Sequence, residues 1–177
     1  EEAVRLASKT LDDFAEHYRE SWLALMRAKL GLSTCEENDP VIISELFDLM
    51  EAQSIDFTLL FRGLADVLQE NKSGLLNLFL EAAPFERWLA TWSERLARET
   101  LPDEERIALM NGVNPLYIPR NHIVEEALQA AEKEANYAPI EKLMDVLSDP
   151  YTAREGLEEY ALPPSADLAP YKTFCGT

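Results

Sequence analysis

The 177-residue chain carries 33 acidic against 16 basic residues, a formal charge of −17, and 47% of it is apolar. A surface this acidic repels phosphate backbones and anionic lipid, which argues against nucleic-acid and membrane-surface partners, and no apolar run reaches the ~18 residues of a membrane span. The size suits one domain, or a large part of a bigger one, able to bury roughly 70% of its unfolded surface, whereas two cysteines, Cys35 and Cys175, do not make a disulfide scaffold.

The first residues, Glu1-Glu2-Ala3-Val4-Arg5, are acidic and already helical in pattern, unlike a signal peptide. No initiating Met precedes them, so a fragment or a processed product is expected. Residues 2–31 read as one long helix. Val4, Leu6, Leu11, Phe14, Tyr18, Trp22, Leu25, Met26 and Leu30 recur at three- and four-residue steps, and Gly31 is a plausible C-terminal stop. After a polar linker, Asp39-Pro40 offers an N-cap with proline at the first helical position. That helix should run to about Gln53 and bury Ile42, Ile43, Leu46, Phe47 and Met50.

Ser54 and Asp56 are cap candidates for the next stripe, Phe57 to Leu68, and residues 71–74 break it. A short apolar helix is expected over 75–80. Another starts at Pro84 and carries Phe85, Trp88, Leu89, Trp92 and Leu96. Pro102-Asp103 opens a further helix, expected to stop at Asn111-Gly112 in a left-handed turn. Residues 113–119 hold two prolines and should be irregular. Helices follow over about 120–135 and 139–148, and four more prolines make the remainder mostly extended, with a short helical turn possible over 153–160.

No useful stretch alternates with the two-residue period of a strand, and no repeat recurs at fixed spacing. The expected fold class is all-α: an irregular domain of about eight helices over 1–148, then a mostly extended tail over 149–177.

Chemistry is sparse. Neither phosphate-cradling glycine motif is present. His17, Cys35, His122 and Cys175 lack the spacing of zinc ligands, so no metal site is expected. Asp56-Phe57-Thr58 invites comparison with the magnesium-binding Asp-Phe-Gly of kinases. Thr at the third position, with no His-Arg-Asp upstream, favours an N-cap followed by a buried aromatic. Carboxylate pairs such as Glu36-Glu37, Glu104-Glu105, Glu125-Glu126 and Glu158-Glu159 suit solvated faces in a chain this acidic. Arg120, Asn121 and His122 stand at a helix start, where exposed amides and the positive dipole end suit an anion. Arg120 could equally pair with one of the many acids, which the composition favours, and His122 fits a capping or hydrogen-bonding role. Cys35, beside two glutamates, reads as inert. Cys175 sits third from the C-terminus between Phe174 and Gly176, where an accessible thiol can exchange with a disulfide.

The run Met110-Asn111-Gly112-Val113-Asn114-Pro115-Leu116-Tyr117-Ile118-Pro119-Arg120-Asn121-His122 resembles the Asn-Pro-x-Tyr-x-x-Arg-Asn signature near the end of selenoprotein O family proteins. The alanine-rich stretch after it, Pro150-Tyr151, Pro163-Pro164 and the ending Tyr171-Lys172-Thr173-Phe174-Cys175-Gly176-Thr177 are similar to the family's last segments. Met26 to Leu32 and Asp56 to Arg62 are similar to upstream ones. The resemblance implies the helical region that follows a pseudokinase-like core, in a protein adenylyltransferase that moves AMP from ATP, with magnesium, onto Ser, Thr or Tyr hydroxyls of proteins. The family's ATP-handling residues precede this stretch, so no catalytic residue or cofactor is expected here, and the implied partners are the missing core and, for the whole enzyme, protein substrates. Cys175 matches the family's selenocysteine or cysteine position, which implies redox control. A cytoplasmic chain of bacterial type is expected. The competing expectation is an acidic helical interaction module anchored by Trp22, Trp88 and Trp92.

Overall fold

A computed structural model describes residues 2–165; the Cys175 expectation lies outside them. The described residues form eight α-helices and a 3-10 turn, with no strand: α1 Glu2–Lys29, α2 Asp39–Gln53, α3 Phe57–Val67, α4 Ser73–Leu76, α5 Ala82–Leu96, α6 Asp103–Val113, α7 Asn121–Glu134, α8 Ala138–Ser148 and the turn Glu158–Ala161. No helix among them is long and apolar enough to cross a membrane.

The main core joins the end of α1 to α2, α3, α4, α5 and α6. Leu30, Ile42, Leu46, Leu60, Phe61, Leu64, Phe85, Trp92 and Met110 are buried there. A row of rings runs along it: Phe79 on Phe85 at 4.1 Å, Phe85 on Trp88 at 5.7 Å and Trp88 on Trp92 at 5.9 Å. Both buried indoles satisfy their N–H groups on backbone carbonyls, Trp88 on Ile42 (2.8 Å) and Trp92 on Leu30 (3.0 Å). Trp22 is half-buried against Phe47, with centroids 6.0 Å apart. Trp88 and Trp92 are thus buried in the body, so two of the three anchors expected of an interaction module are not available to a partner. A smaller core of Tyr117, Val146, Leu157 and Ala161 ties residues 149–165 back onto α8.

Several local expectations change. Asp39 does not cap α2: Asn38 occupies the N-cap without a side-chain bond, and Asp39 is drawn into an ion pair instead. Ser54 ends α2 in the left-handed region, and only Asp56 caps α3, accepting from the Leu59 N–H at 2.8 Å. The short apolar helix begins earlier and ends at Leu76, where the N–H groups of Leu78 and Phe79 turn back onto the Leu75 and Leu76 carbonyls (3.1 Å each); Gln53 then holds both the N–H and the C=O of Glu81. Gly112 does not stop α6. The helix runs to Val113, and Asn114 is extended (φ −108°, ψ 99°), as the residue before Pro115 must be. Phe57 is 40% exposed rather than buried. The largest difference is α1. Trp22, Leu23 and Met26 pack into the body, but the side chains from Glu2 to Ser21 are all exposed.

Gly31 is where expectation and structure meet closely. Its φ of +73° ends α1, and a Cβ there would lie 2.7 Å from Met110 Sδ and 2.9 Å from Arg106 Cγ. Glycine is required both by the backbone angle and by the approach of α6.

Candidate functional site

The stretch from Asn114 to Arg120, which with Asn121 makes up the signature, connects α6 to α7 and touches four other parts of the fold. At its start, Asn114 is buried and donates from Nδ2 to the Lys29 carbonyl (3.0 Å) at the end of α1. Lys29 answers from Nζ to Asn114 Oδ1 (3.2 Å) and to the Val113 carbonyl (3.1 Å). Arg62 of α3 donates to the carbonyls of Asn111 (3.1 Å) and Asn114 (3.0 Å). The last carbonyls of α6, which a helix end leaves open, are therefore closed by two cations, the favourable sign at that pole. The Lys29 ammonium also lies 5.6 and 5.7 Å from the ring centroids of Phe57 and Phe61. Burial lowers its pKa.

Further along, the N–H groups of Leu116 and Tyr117 both donate to the Pro150 carbonyl, at 2.7 and 3.1 Å. The buried Tyr117 hydroxyl accepts from the Arg154 N–H at 3.1 Å. Arg154 in turn donates to the Asp145 and Val146 carbonyls of α8. Arg120 closes the run. It is 6% exposed and donates from Nη1 and Nη2 to the two oxygens of Asp56 (2.8 and 3.2 Å), and from Nη2 to the Ala161 carbonyl (2.8 Å). Burial alone would raise the Asp56 carboxyl. The Arg120 hydrogen bonds, the Leu59 N–H and the Arg120 charge outweigh it and hold the group below its ordinary value. One carboxylate thus caps α3 and fixes the start of α7.

Arg120 therefore faces inward onto an acid, not outward onto an anion. Asn121 is exposed and His122 half-buried on the first turn of α7, and the Arg120 contacts run to Asp56 and Ala161 rather than to them. Beside the run, Lys29, Phe57, Thr58, Phe61, Asn114, Pro115 and Ile118 line a cavity of about 160 Å³. That is below the ~300 Å³ at which small-molecule sites begin.

A second polar centre lies between α5 and the linker before α2. Arg95 is fully buried, with Nε 2.7 Å from Asp39 Oδ1 and Nη1 2.8 Å from Glu99 Oε1. Glu99 also accepts from the hydroxyls of Ser33 and Thr34 and from their N–H groups. Burial works against its charge, but the Ser33 and Thr34 hydroxyls, the Thr34 N–H and Arg95 bring its pKa down to about 2. Glu36, one member of a carboxylate pair, bonds Arg98 and lies 3.3 Å from Arg95. Sequence reasoning passed over this centre. Its signal was Arg95 itself, a charge three residues after Trp92 on an otherwise apolar stripe, which demands a buried partner.

No group of three or more His, Cys, Asp or Glu side chains among the described residues can hold a metal ion. His17 stands on the exposed stretch of α1, and Cys35 is exposed in the linker.

The family described as "Protein adenylyltransferase SelO" matches residues 3–148. The chain belongs to the SelO family. It is 43% identical over its whole length to "Protein nucleotidyltransferase YdiU" of Geobacillus kaustophilus, and 40% identical over 99% of its length to the protein of that name in Rhodopseudomonas palustris. A third relative of the same name, from Bacillus thuringiensis, is 38% identical over the whole chain. The chain spans 36%, 36% and 35% of these relatives' lengths, about a third. Within the family, then, this sequence corresponds to one helical part of a longer protein.

Proposed function

We propose that this chain is a scaffold portion of a protein adenylyltransferase, which transfers AMP from ATP to Ser, Thr or Tyr hydroxyls of other proteins. The observation that carries the reading is full-length similarity to much longer proteins named nucleotidyltransferases. The geometry supports the scaffold role. Asn114, Tyr117 and Arg120, the signature's polar side chains most deeply placed, are all engaged in joining helices. ATP and magnesium call for cations and metal-binding acids placed around the phosphates. They would be held by a kinase-like core elsewhere in the polypeptide, and no step of the transfer is derived for this chain.

Cys175 is proposed as a redox residue. Its thiolate would attack a disulfide, for example that of glutathione. That attack would release one glutathione thiolate; a thiolate of the core would then attack the Cys175 sulfur of the mixed disulfide, forming the Cys175–core disulfide and releasing the second glutathione. A cytoplasmic setting, where thiols are mostly kept reduced, goes with such a switch.

The test is AMP transfer from labelled ATP with magnesium, run in parallel on the longer protein and on the 177-residue chain. Label should appear on protein with the first and not with the second, and ATP should leave the melting temperature of the chain unchanged. Transfer by the chain alone, or a saturable ATP-dependent rise in its melting temperature, contradicts the reading.

A further inference from the structure

The exposed stretch of α1 from Glu2 to Ser21 is twenty residues, about 30 Å of helix at 1.5 Å per residue. Most helical stability in proteins comes from packing an amphipathic face, so a partner along this stretch would stabilise it. The sequence says which face the partner meets. Val4, Leu11, Tyr18 and Leu25 recur at seven-residue steps, with Ala7 and Phe14 between them. This is the spacing of a continuous seam along one side of a helix. Val4, Leu11, Phe14 and Tyr18 are 61–69% exposed, and Leu25 is 48% exposed. The Phe14 and Tyr18 rings stack on each other at 6.2 Å, on the outside of the molecule. Positions flanking the seam are Ala3, Ser8, Thr10, Ala15, His17, Trp22 and Ala24, with no Lys, Arg or carboxylate and, over the exposed stretch, mostly small. Small flanks let another backbone approach closely.

We propose that this seam is the docking edge for the remainder of the same polypeptide, the roughly two-thirds that relatives possess beyond the stretch matched here. The inference rests on the proposed reading of the chain as part of a longer adenylyltransferase. Two observations select this occupant over a second copy. The relatives' length supplies a large body of chain to cover the seam. A second copy would bring another formal charge of −17 against the first. The helix itself carries five acidic and five basic residues, so the acidity lies on the body beside it and would face its own image in a dimer.

Peptide-resolved alkylation by iodoacetamide tests this in the longer protein. Phe14→Cys and Leu11→Cys place a thiol on the seam; Lys9→Cys places one on the opposite side of the same helix. The seam thiols should react at least about tenfold more slowly than the Lys9→Cys thiol, since reaction would need local opening. Equal rates on both sides overturn the proposal. So does protection that fades on dilution, which identifies a second copy, or protection lost on deleting residues 166–177, which identifies the chain's own end. Slow reaction at Lys9→Cys as well overturns docking by one face. The readout needs no enzymatic activity, so a longer protein that transferred no AMP would refute the proposed function and leave the docking result standing.

Discussion

The two halves of α1 carry similar apolar spacing and meet opposite fates. From Trp22 on, one face of the helix is packed: Met26 and Leu30 are buried, and Lys29 is bonded to Asn114, while Leu25 stays on the exposed side. Before Trp22, residues of the same type point into solvent. Periodicity therefore reports that a face will be buried, and it is silent on whether the partner lies in the same stretch of sequence. The body, by contrast, closes on itself through buried ion pairs and stacked rings. The chain divides along that line, with a body packed on itself on one side and an exposed helical face on the other.

The closed body depends most on Arg95. Arg95→Ala leaves Asp39 and Glu99 buried without a cation, and should destabilise the chain by about 3–5 kcal/mol in urea denaturation. A loss under about 1 kcal/mol would mean that the centre is solvated and the body less closed than described. Acid probes the same centre without mutation. Glu99 has a folded pKa near 2 against an ordinary 4.5, so its contribution is complete above pH 4.5 and is lost as pH falls toward 2. Linkage puts this at about 3 kcal/mol. Stability measured across that window should fall less steeply in Glu99→Gln than in the unsubstituted chain.

Gly31→Ala tests the hinge between the packed half of α1 and α6. A side chain at φ +73° and within 3 Å of Met110 and Arg106 should cost about 1–3 kcal/mol, read from the urea midpoint. At the other extreme, Phe14→Ala and Tyr18→Ser in the 177-residue chain should change its stability by less than about 0.5 kcal/mol. A larger loss would show that the exposed half of α1 already packs within this chain.

Much of the fold was legible because helices here are bounded by strong local signals. Asp56 caps α3, Gly31 ends α1, and Pro139 lies in the first turn of α8. The errors arose where a tertiary partner outcompeted a local preference. Asp39 has the chemistry of a cap but was taken by Arg95, and Gly112 can turn left-handed but stayed helical until Pro115 forced the exit. In the signature run, residue types alone left Arg120 between an anion and an acid. Choosing required knowing that the chain folds Asp56 beside it from 64 residues away. Lys29, Arg62 and Arg154 were invisible as partners of that run for the same reason, since their contacts depend on topology and not on spacing.

The claim that the signature fastens helices together is tested most directly by a double-mutant cycle on Asp56→Asn and Arg120→Lys in the 177-residue chain, with unfolding free energy measured in the presence and absence of ATP. A hydrogen-bonded, largely buried pair should show a coupling of about 1–3 kcal/mol that ATP does not alter. Coupling near zero, with Arg120→Lys instead abolishing an ATP-dependent gain in stability, would contradict the account and return Arg120 to the role of an anion site.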